Sequence, residues 1–249
     1  STAGMMIEDR TRTYTIAMER TVVPENFSFR MTDEEYRVLE KIKNSIPVCY
    51  LADHADFALG IVTGNNKKFL SAEKTEHSEM VLKGTDICKY HINPVKQYLR
   101  FEPEQFQQVA PLEIYRAPEK LLYRFISNQL VVAYDDRQML SLNSCNIVIP
   151  KIDGMQIKYI LAILNSSVSQ FVYQKEFHSI KVLRAHMEHI PIPRVGKAIQ
   201  NEIIAMTEPL ICGMGKEAAE TCQKRLDCRI MDLFRFSAEE QWIIRHALH

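Results

Sequence analysis

The stretch Phe57-Ala-Leu-Gly-Ile-Val-Thr-Gly-Asn-Asn-Lys-Lys-Phe-Leu70 decides how the sequence is interpreted. An apolar run is followed by Gly64-Asn-Asn66 and by a second run that begins with two lysines. Glycine and asparagine favour tight reversals, so the stretch predicts a β-hairpin formed by residues 57–63 and 67–71. Its tip would present backbone amides and two ammonium groups, which are groups that bind a polyanion.

Helices and further strands are predicted on both sides of this stretch. Thr32-Asp-Glu-Glu35 has the pattern of a capping box, which predicts a helix over residues 33–44. The runs 120–126 and 130–134 flank Ser-Asn-Gln and predict a second hairpin. The apolar run 157–164 predicts a helix packed on the sheet, with a further helix over 167–175.

The last part of the sequence is predicted to be helical. Pro191-Ile-Pro193 is expected to stop regular structure and to mark a boundary. Apolar stripes within residues 199–210 and 226–233 lie on either side of a glycine-rich break and predict an αα-hairpin. Ser237-Ala-Glu-Glu240 is a second capping box, predicting a last helix that buries Trp242 and one of the two following isoleucines.

These patterns predict the α+β class, with mostly antiparallel β-sheet hairpins and packed helices, followed by a C-terminal helical hairpin or bundle. Three regions are expected. They are an N-terminal extension or linker at residues 1–31, a main domain at 32–195 and a helical subdomain at 196–249. The sequence begins at Ser1 without a methionine, so we expect a piece of a longer protein.

The composition is that of an ordinary globular protein and points to no special partner. Of 249 residues, 46% are hydrophobic, and 31 basic residues balance 31 acidic ones, so net charge does not indicate nucleic acid. No apolar run approaches the roughly 18 residues that span a bilayer, and we expect no membrane segment. The six cysteines contain no C-x-x-C pair, which disfavours a zinc site and suits the reducing cytoplasm.

The motifs of known catalytic centres are missing. A DNA amino-methyltransferase needs Asp/Asn-Pro-Pro-aromatic, whereas Asn93-Pro-Val95 lacks the second proline and the ring. A nuclease needs converging carboxylates and a lysine, and Glu113 with Glu119-Lys120 is a poor match because Pro118 intervenes. We therefore predict no catalytic residue in this chain.

Three histidines are the only candidates for a metal site. His186 and His189 lie one helical turn apart, and His178 is near them in sequence. No cysteine and no second ligand pair accompanies them, so we interpret them as surface or core histidines and predict no metal.

Several segments, in order, resemble a known family, the TaqI-like C-terminal specificity domain of N6-adenine DNA methyltransferases and fused type II restriction-modification enzymes. The resemblance covers the sequence from Thr32 to the end. The segments that carry it are Leu59-Gly-Ile-Val-Thr-Gly-Asn-Asn-Lys-Lys-Phe69, Val81-Leu-Lys-Gly-Thr-Asp-Ile87, Pro118-Glu-Lys-Leu-Leu-Tyr-Arg-Phe-Ile126 with Val132-Ala-Tyr-Asp135, Leu161-Ala-Ile-Leu-Asn-Ser166, Phe171-Val-Tyr-Gln-Lys175, Ile190-Pro-Ile-Pro193, and the tail 226–236 followed by Ser237-Ala-Glu-Glu240.

The resemblance implies a DNA target-recognition domain at residues 32–195, belonging to a bacterial type II restriction-modification enzyme with or without a fused endonuclease. This chain would bind double-stranded DNA and would not itself be an enzyme. The methyltransferase half would be its partner, and that half would bind S-adenosylmethionine and flip the adenine, so this chain would need no cofactor. The C-terminal helices are expected to dock on that half.

Ten residues are candidates for DNA contact in this interpretation. We expect amides to meet adenine or the backbone, and cations to meet phosphates. Two residues are amide candidates, Asn65 and Asn66. The cationic candidates are first Lys67, Lys68 and Lys83, and then Lys89, Arg100, Arg124, Lys175 and Arg194. Structural roles are expected instead for Gly60, Gly64, Gly84, Phe69, Tyr123, Phe171 and Tyr173.

Two other functions stay open at this point. A metal-dependent nuclease with a dispersed carboxylate site would cleave DNA when a metal is added. A protein-interaction scaffold that uses the helical tail would bind its partner without the steep salt dependence of DNA binding. The DNA hypothesis requires Asn65, Lys67, Lys83 and Arg124 to lie on one side of the molecule.

Overall fold

The structure, a computed structural model, describes residues 4–8, 13–17, 31–177 and 179–247, with only the backbone of the first two segments. The strands are β1 (Gly4–Glu8), β2 (Thr13–Ala17), β3 (Val48–Cys49), β4 (Ala55–Ala58), β5 (Leu70–Ser71), β6 (Ser78–Leu82), β7 (Tyr98–Arg100), β8 (Lys120–Arg124), β9 (Val132–Asp135), β10 (Leu140–Ser141), β11 (Cys145–Pro150) and β12 (Ile192–Pro193). The candidate metal ligand His178 lies outside the described residues, as does most of the predicted linker 1–31.

The longer helices follow the predicted capping and periodicity, whereas three short ones were not predicted. In chain order the helices are α1 (Asp33–Asn44), α2 (Asn66–Phe69), α3 (Leu112–Tyr115), α4 (Ile157–Asn165), α5 (Ser167–Glu176), α6 (Arg184–Glu188), α7 (Lys197–Ile211), α8 (Lys216–Leu233) and α9 (Ala238–His246), with single 3₁₀ turns at Gly84–Asp86 and Pro103–Gln105. The short helices that were not predicted are α2, α3 and α6. Both predicted capping boxes are formed, at Thr32 with Glu35 and at Ser237 with Glu240. The α+β class is confirmed. Every helix in the described ranges is too short or too polar to cross a bilayer.

The central sheet is antiparallel and has the order β4-β11-β8-β9. The second predicted hairpin is confirmed, since β8 pairs with β9 with Lys120 opposite Asp135 and Tyr123 opposite Val132. A smaller sheet has the order β10-β6-β7-β5, in which only β10 and β6 run parallel. Two further antiparallel pairs are formed by β1 with β2, which are neighbours in sequence, and by β3 with β12, which are far apart in sequence.

The first predicted hairpin is wrong. Phe57 pairs with Val148 in the central sheet, whereas Leu70 pairs with Leu99 in the smaller sheet, so the two runs belong to different sheets. Between them the side chain of Asn65 accepts a hydrogen bond from the backbone amide of Lys68 and starts α2. An asparagine that caps a helix satisfies a free amide there, which favours a helical turn over a strand reversal.

Hydrophobic clusters cover both faces of the central sheet. Leu121 and Tyr123 pack in the larger cluster with residues of the helices, including Ile160 of α4. Leu122, between them, packs in the other cluster with Ile147 and the smaller sheet. Alternate residues of a strand point to opposite faces, so β8 is enclosed by helices on one side and by the smaller sheet on the other. Because both faces of the central sheet are covered, a ligand can reach the sheet only at the ends of its strands and at their loops.

The aromatic residues that were predicted to be structural are mostly core residues. Tyr123, Phe171 and Tyr173 are buried. Phe69 is half-buried and meets the ring of Phe106 edge-on, with 5.3 Å between the ring centroids. None of the four rings is therefore presented to solvent as a platform for stacking a base.

The C-terminal helices pack on the rest of the molecule. The predicted αα-hairpin is formed by α7 and α8, and Ile203 and Leu226 share the larger cluster with Ile160. Regular structure does not stop at Pro191, because β12 follows and pairs with β3. The boundary predicted after residue 195 stays a prediction.

The prediction for Trp242 is wrong. This side chain is 58% exposed on α9, whereas Ile244 is fully buried. The indole ring stacks on His246, with 4.1 Å between the ring centroids. One turn of helix separates these two residues, so they share the outer face of α9, and the helix turns its aliphatic face to the core.

Candidate nucleic-acid interface

An open cleft of about 460 Å³ lies where α2, the end of β6 and the turn between β10 and β11 meet. Its lining contains two ammonium groups, three side-chain amides and one hydroxyl, and no carboxylate among the described residues. The lining residues are Asn66, Lys67, Leu70, Lys83, Gln97, Leu142, Asn143 and Ser144. Cations without competing carboxylates attract an anion, and amides can both donate and accept hydrogen bonds.

The turn at residues 142–144 is held by backbone hydrogen bonds from both sides. The amide of Leu142 donates to the carbonyl of Leu82 over 2.7 Å, and the amide of Asn143 donates to the carbonyl of Ile61 over 3.1 Å. The carbonyl of Ser144 accepts from the amide of Phe125 over 3.0 Å. Three distant segments therefore fix the floor of the cleft.

Two glycines allow these segments to approach the turn. A β-carbon added at Gly60 would lie 2.2 Å from the carbonyl oxygen of Leu142, and one added at Gly84 would lie 2.5 Å from that of Ser144. Both distances are shorter than any real contact of a β-carbon, and the atoms met are backbone atoms. Gly64 has a φ of +74°, which disfavours other residues. The predicted structural role of these glycines is confirmed.

Lys83 enters the cleft from a tightly bonded turn. Its backbone amide donates to Oδ2 of Asp86 over 2.9 Å, and the amide of Gly84 donates to Oγ of Ser144 over 2.9 Å. Arg124 donates from Nε to the carbonyl of Gly84 over 2.8 Å and from Nη2 to that of Ile87 over 2.6 Å. The guanidinium group thus supports the turn that carries Lys83, which leaves fewer of its donors for DNA.

The four candidates around α2 differ in their surroundings. Lys67 and Asn66 line the cleft, and Oδ1 of Asn66 accepts from Oγ1 of Thr63 over 2.6 Å. Asn65 is exposed and uses Oδ1 to cap α2. Lys68 turns away, since its Nζ donates to Oε1 of Gln105 over 3.1 Å and lies 4.6 Å from the centroid of the Phe69 ring.

Two cationic candidates are used inside the molecule, contrary to the role predicted for them. Nζ of Lys175 donates to Oε1 of Glu35 over 2.7 Å, and these side chains are only 9% and 11% exposed. Lys89 donates to the backbone carbonyl of Asn165 over 3.1 Å, and burial lowers the pKa of its ammonium group. A buried ammonium group seldom goes unpaired, so both lysines join secondary-structure elements and do not line the cleft.

Arg100 and Arg194 are exposed and lie outside the cleft lining. Nε of Arg100 is 2.8 Å from Oε1 of Glu102. The backbone amide of Arg194, just after β12, donates to the carbonyl of Pro47 over 2.8 Å. Of the ten candidates, the structure brings Asn66, Lys67 and Lys83 together, with Asn65 and Arg124 beside them.

Three cleft residues were missed by the sequence analysis, namely Gln97, Asn143 and Ser144. Asn143 and Ser144 form the turn between two short strands, and the polar pair between apolar runs is the signal that could have revealed it. Gln97 immediately precedes β7, and no local pattern distinguishes it from any other polar residue. Its position next to Lys83 follows only from the pairing of β6 with β7.

The residues considered for a nuclease or a metal site have other partners. Lys120 is fully buried, with its Nζ 2.6 Å from Oδ2 of Asp135. Glu119 accepts a hydrogen bond from the hydroxyl of Tyr134. Nδ1 of His186 accepts from the amide of Leu183 over 3.2 Å. Among the described residues, no group of three or more potential metal ligands comes together.

Residues 79–192 match the TaqI-like C-terminal specificity domain in a comparison with known protein families. The family named in the sequence analysis is thereby confirmed for this part of the chain. The matched residues contain Lys83, Gln97, Asn143 and Ser144 of the cleft, whereas α2 with Lys67 precedes them. Curated protein sequences gave no match.

Two solved structures align with most of this chain and with part of their own. The type IIG restriction endonuclease BpuSI aligns with a TM-score of 0.51 and 12% identity, over 95% of this chain and 35% of that one. The HsdS subunit from Thermoanaerobacter tengcongensis aligns with a TM-score of 0.42 and 14% identity, over 87% of this chain and 50% of that one. The chain thus spans about a third to a half of these proteins. At such identities the likeness to BpuSI shows a shared fold alone.

Proposed function

We propose, on the premise that residues 79–192 of this chain belong to the TaqI-like C-terminal specificity domain family, that the chain recognises a target sequence in double-stranded DNA for a restriction-modification system. The observation that carries this proposal is the cleft in which Lys67 and Lys83 meet uncharged amides without a carboxylate. Phosphate contacts hold a protein on the duplex, and polar contacts to base edges select the sequence. The cleft supplies both kinds of group on a rigid framework.

A net positive charge on the whole chain is not needed for this role. The 31 basic and 31 acidic residues balance over the whole chain, but they are unevenly placed, since the described lining of the cleft has two lysines and no carboxylate. A duplex feels the local potential of the surface that it approaches, within about one Debye length, more than the sum over the molecule.

The wider context is part of the same proposal. The chain would belong to a type II N6-adenine DNA methyltransferase, whose catalytic half would bind S-adenosylmethionine and would be the chain's protein partner. The chain itself would recognise DNA without catalysing methyl transfer, and it would act in the cytoplasm. The family resemblance supports this context, and the exposed outer face of α9, with Trp242, is available for docking such a partner.

The proposal is tested by measuring DNA binding of the purified chain as a function of salt concentration. The logarithm of the association constant should fall linearly with the logarithm of the salt concentration. The variant Lys67→Ala/Lys83→Ala should bind more weakly, and the slope of this line should be smaller by about two units, one for each lost phosphate contact. The matched control is Lys216→Ala/Lys224→Ala, which removes two exposed lysines from α8.

Three results would overturn the proposal. The wild-type chain could fail to bind DNA, or the cleft variant could titrate like the wild type. Alternatively, the control on α8 could lose as much affinity as the cleft variant, which would place binding on the helices. Cleavage of the DNA on addition of Mg²⁺ would instead support the nuclease alternative.

A further inference from the structure

We propose that Gln97 and Asn143 are specificity-determining residues, and that each recognises an adenine in the major groove. This inference rests on the proposed function and names the residues and the base that it uses. It differs from the sequence-based expectation, which assigned the amide contacts to Asn65 and Asn66.

The hydrogen-bond partners of the amides decide between these two pairs. Oδ1 of Asn65 accepts from the amide of Lys68 over 3.2 Å, and Oδ1 of Asn66 accepts from Oγ1 of Thr63 over 2.6 Å. Each of these oxygens thus already accepts one hydrogen bond from the protein, which fixes the orientation of the amide. Among the described residues, the side chains of Gln97 and Asn143 make no hydrogen bond, so their donors and acceptors are both available.

The backbones of Gln97 and Asn143 are fixed although their side chains are free. The carbonyl of Gln97 accepts from the amide of Val81 over 3.0 Å, beside the pairing of β6 with β7. The amide of Asn143 donates to the carbonyl of Ile61 over 3.1 Å, within the turn that Gly60 and Gly84 confine. A side chain on a fixed backbone loses less freedom on binding, which suits a group that must discriminate between bases.

The base follows from the chemistry of a carboxamide. A side-chain amide presents one acceptor and one donor side by side, and adenine presents the complementary N6 donor and N7 acceptor in the major groove. Guanine presents two acceptors there, which suit Arg or Lys, and cytosine presents a donor, which suits a carboxylate. The described lining contains neither Arg nor a carboxylate. The two lysines remain for the phosphates on either side.

The test begins with selection of bound duplexes from a randomised pool by the wild-type chain. Gln97→Ala and Asn143→Ala are then compared with wild type for the ratio of affinity between the selected duplex and a scrambled one. Each substitution should reduce that ratio by about 5- to 150-fold, the range for one lost bidentate contact. The salt slope should change by less than about one unit, because no phosphate contact is lost. The control is Asn201→Ala, an exposed amide on α7.

The identity of the base is tested by placing 7-deazaadenine at each selected adenine in turn. Loss of N7 should weaken binding by the wild-type chain at two positions. At one of these positions, the Gln97→Ala variant should bind the adenine and 7-deazaadenine duplexes equally well. At the other position, the same should hold for the Asn143→Ala variant. A variant that melts below the assay temperature would be replaced by Gln97→Leu or Asn143→Leu, which keep the volume of the side chain.

The outcomes separate this inference from the proposed function. Salt-dependent binding with a sequence preference that survives both substitutions, or a selected sequence without adenine, would overturn the assignment of Gln97 and Asn143 and leave DNA recognition standing. A wild-type chain that binds no DNA would overturn both proposals together.

Discussion

The carbonyl oxygen of Leu142 lies against the α-carbon of Gly60 so closely that a β-carbon there would stand 2.2 Å from it. This contact joins the segment that leaves β4 to the turn that forms the floor of the cleft. The amide of Asn143 also donates to the carbonyl of Ile61, next to Gly60. The segment after β4 and the turn at residues 142–144 are therefore held together at two adjacent points. The shape of the candidate interface thus depends on a residue that does not line it.

Substitution of this glycine is expected to destabilise the protein and distort the cleft. Gly60→Ala should lower the free energy of unfolding by about 1–3 kcal/mol, because backbone atoms must move to admit a methyl group. Gly84→Ala should act similarly through the carbonyl of Ser144. Urea titrations measure the effect, with Gly196→Ala as control because nothing lies within 4 Å of a β-carbon there. Equal urea midpoints for Gly60→Ala and wild type would show that the backbone around Gly60 and Leu142 moves apart at no cost in stability.

Lys175→Met should affect stability and leave DNA binding unchanged. The substitution leaves the carboxylate of Glu35 buried without its ion-pair partner, which costs about 3–5 kcal/mol. Below its melting temperature the variant should bind DNA as the wild type does, since Lys175, on α5, pairs with Glu35 of α1 and does not line the cleft. Urea midpoints and binding curves are measured on the same preparation. A reduced salt slope for this variant would restore Lys175 as a phosphate contact.

Adjacent lysines of α2 should behave differently in single substitutions. Lys67→Ala should reduce the salt slope of DNA binding by about one unit, because Lys67 lines the cleft. Lys68→Ala should have the smaller effect, because its ammonium group already contacts Gln105 and the Phe69 ring. Titrations of the two variants in parallel provide their own control. Equal slopes for both would indicate that the duplex rests on the outer face of α2.

His186 should make the folded state less stable in mild acid. Burial lowers the pKa of its imidazole below the ordinary value of about 6.5, and the ring stacks on Phe177 with 4.5 Å between centroids. In the pH range just below that value the unfolded chain binds more protons than the folded chain, so stability falls as the pH falls. Urea unfolding of wild type and His186→Phe from pH 7.5 to 5 measures this loss of stability. The variant should lose less stability over this range, and parallel curves would contradict the prediction.

Local patterns in the sequence were enough for the elements whose hydrogen bonds are local. Capping boxes placed α1 and α9, helical periodicity placed α4, α7 and α8, and the short reversal between β8 and β9 produced the second hairpin. The interacting residues in these elements are only a few positions apart, so a short stretch of sequence contains all the residues that stabilise each element. The family resemblance rested only partly on these elements, through segments such as 118–126 and 161–166, and the match to residues 79–192 agrees with it.

The tertiary structure alone decided what became of the stretch from Phe57 to Leu70. Its two halves pair with β11 and β7, and such distant strand partners leave no trace in a local pattern. For the same reason the sequence could not show that Lys175 forms a buried ion pair with Glu35, or that Gln97 and Asn143 line the same cleft as Lys83. Residue types and helix ends follow from short-range chemistry, whereas the surface that faces a ligand is assembled from contacts far apart in sequence.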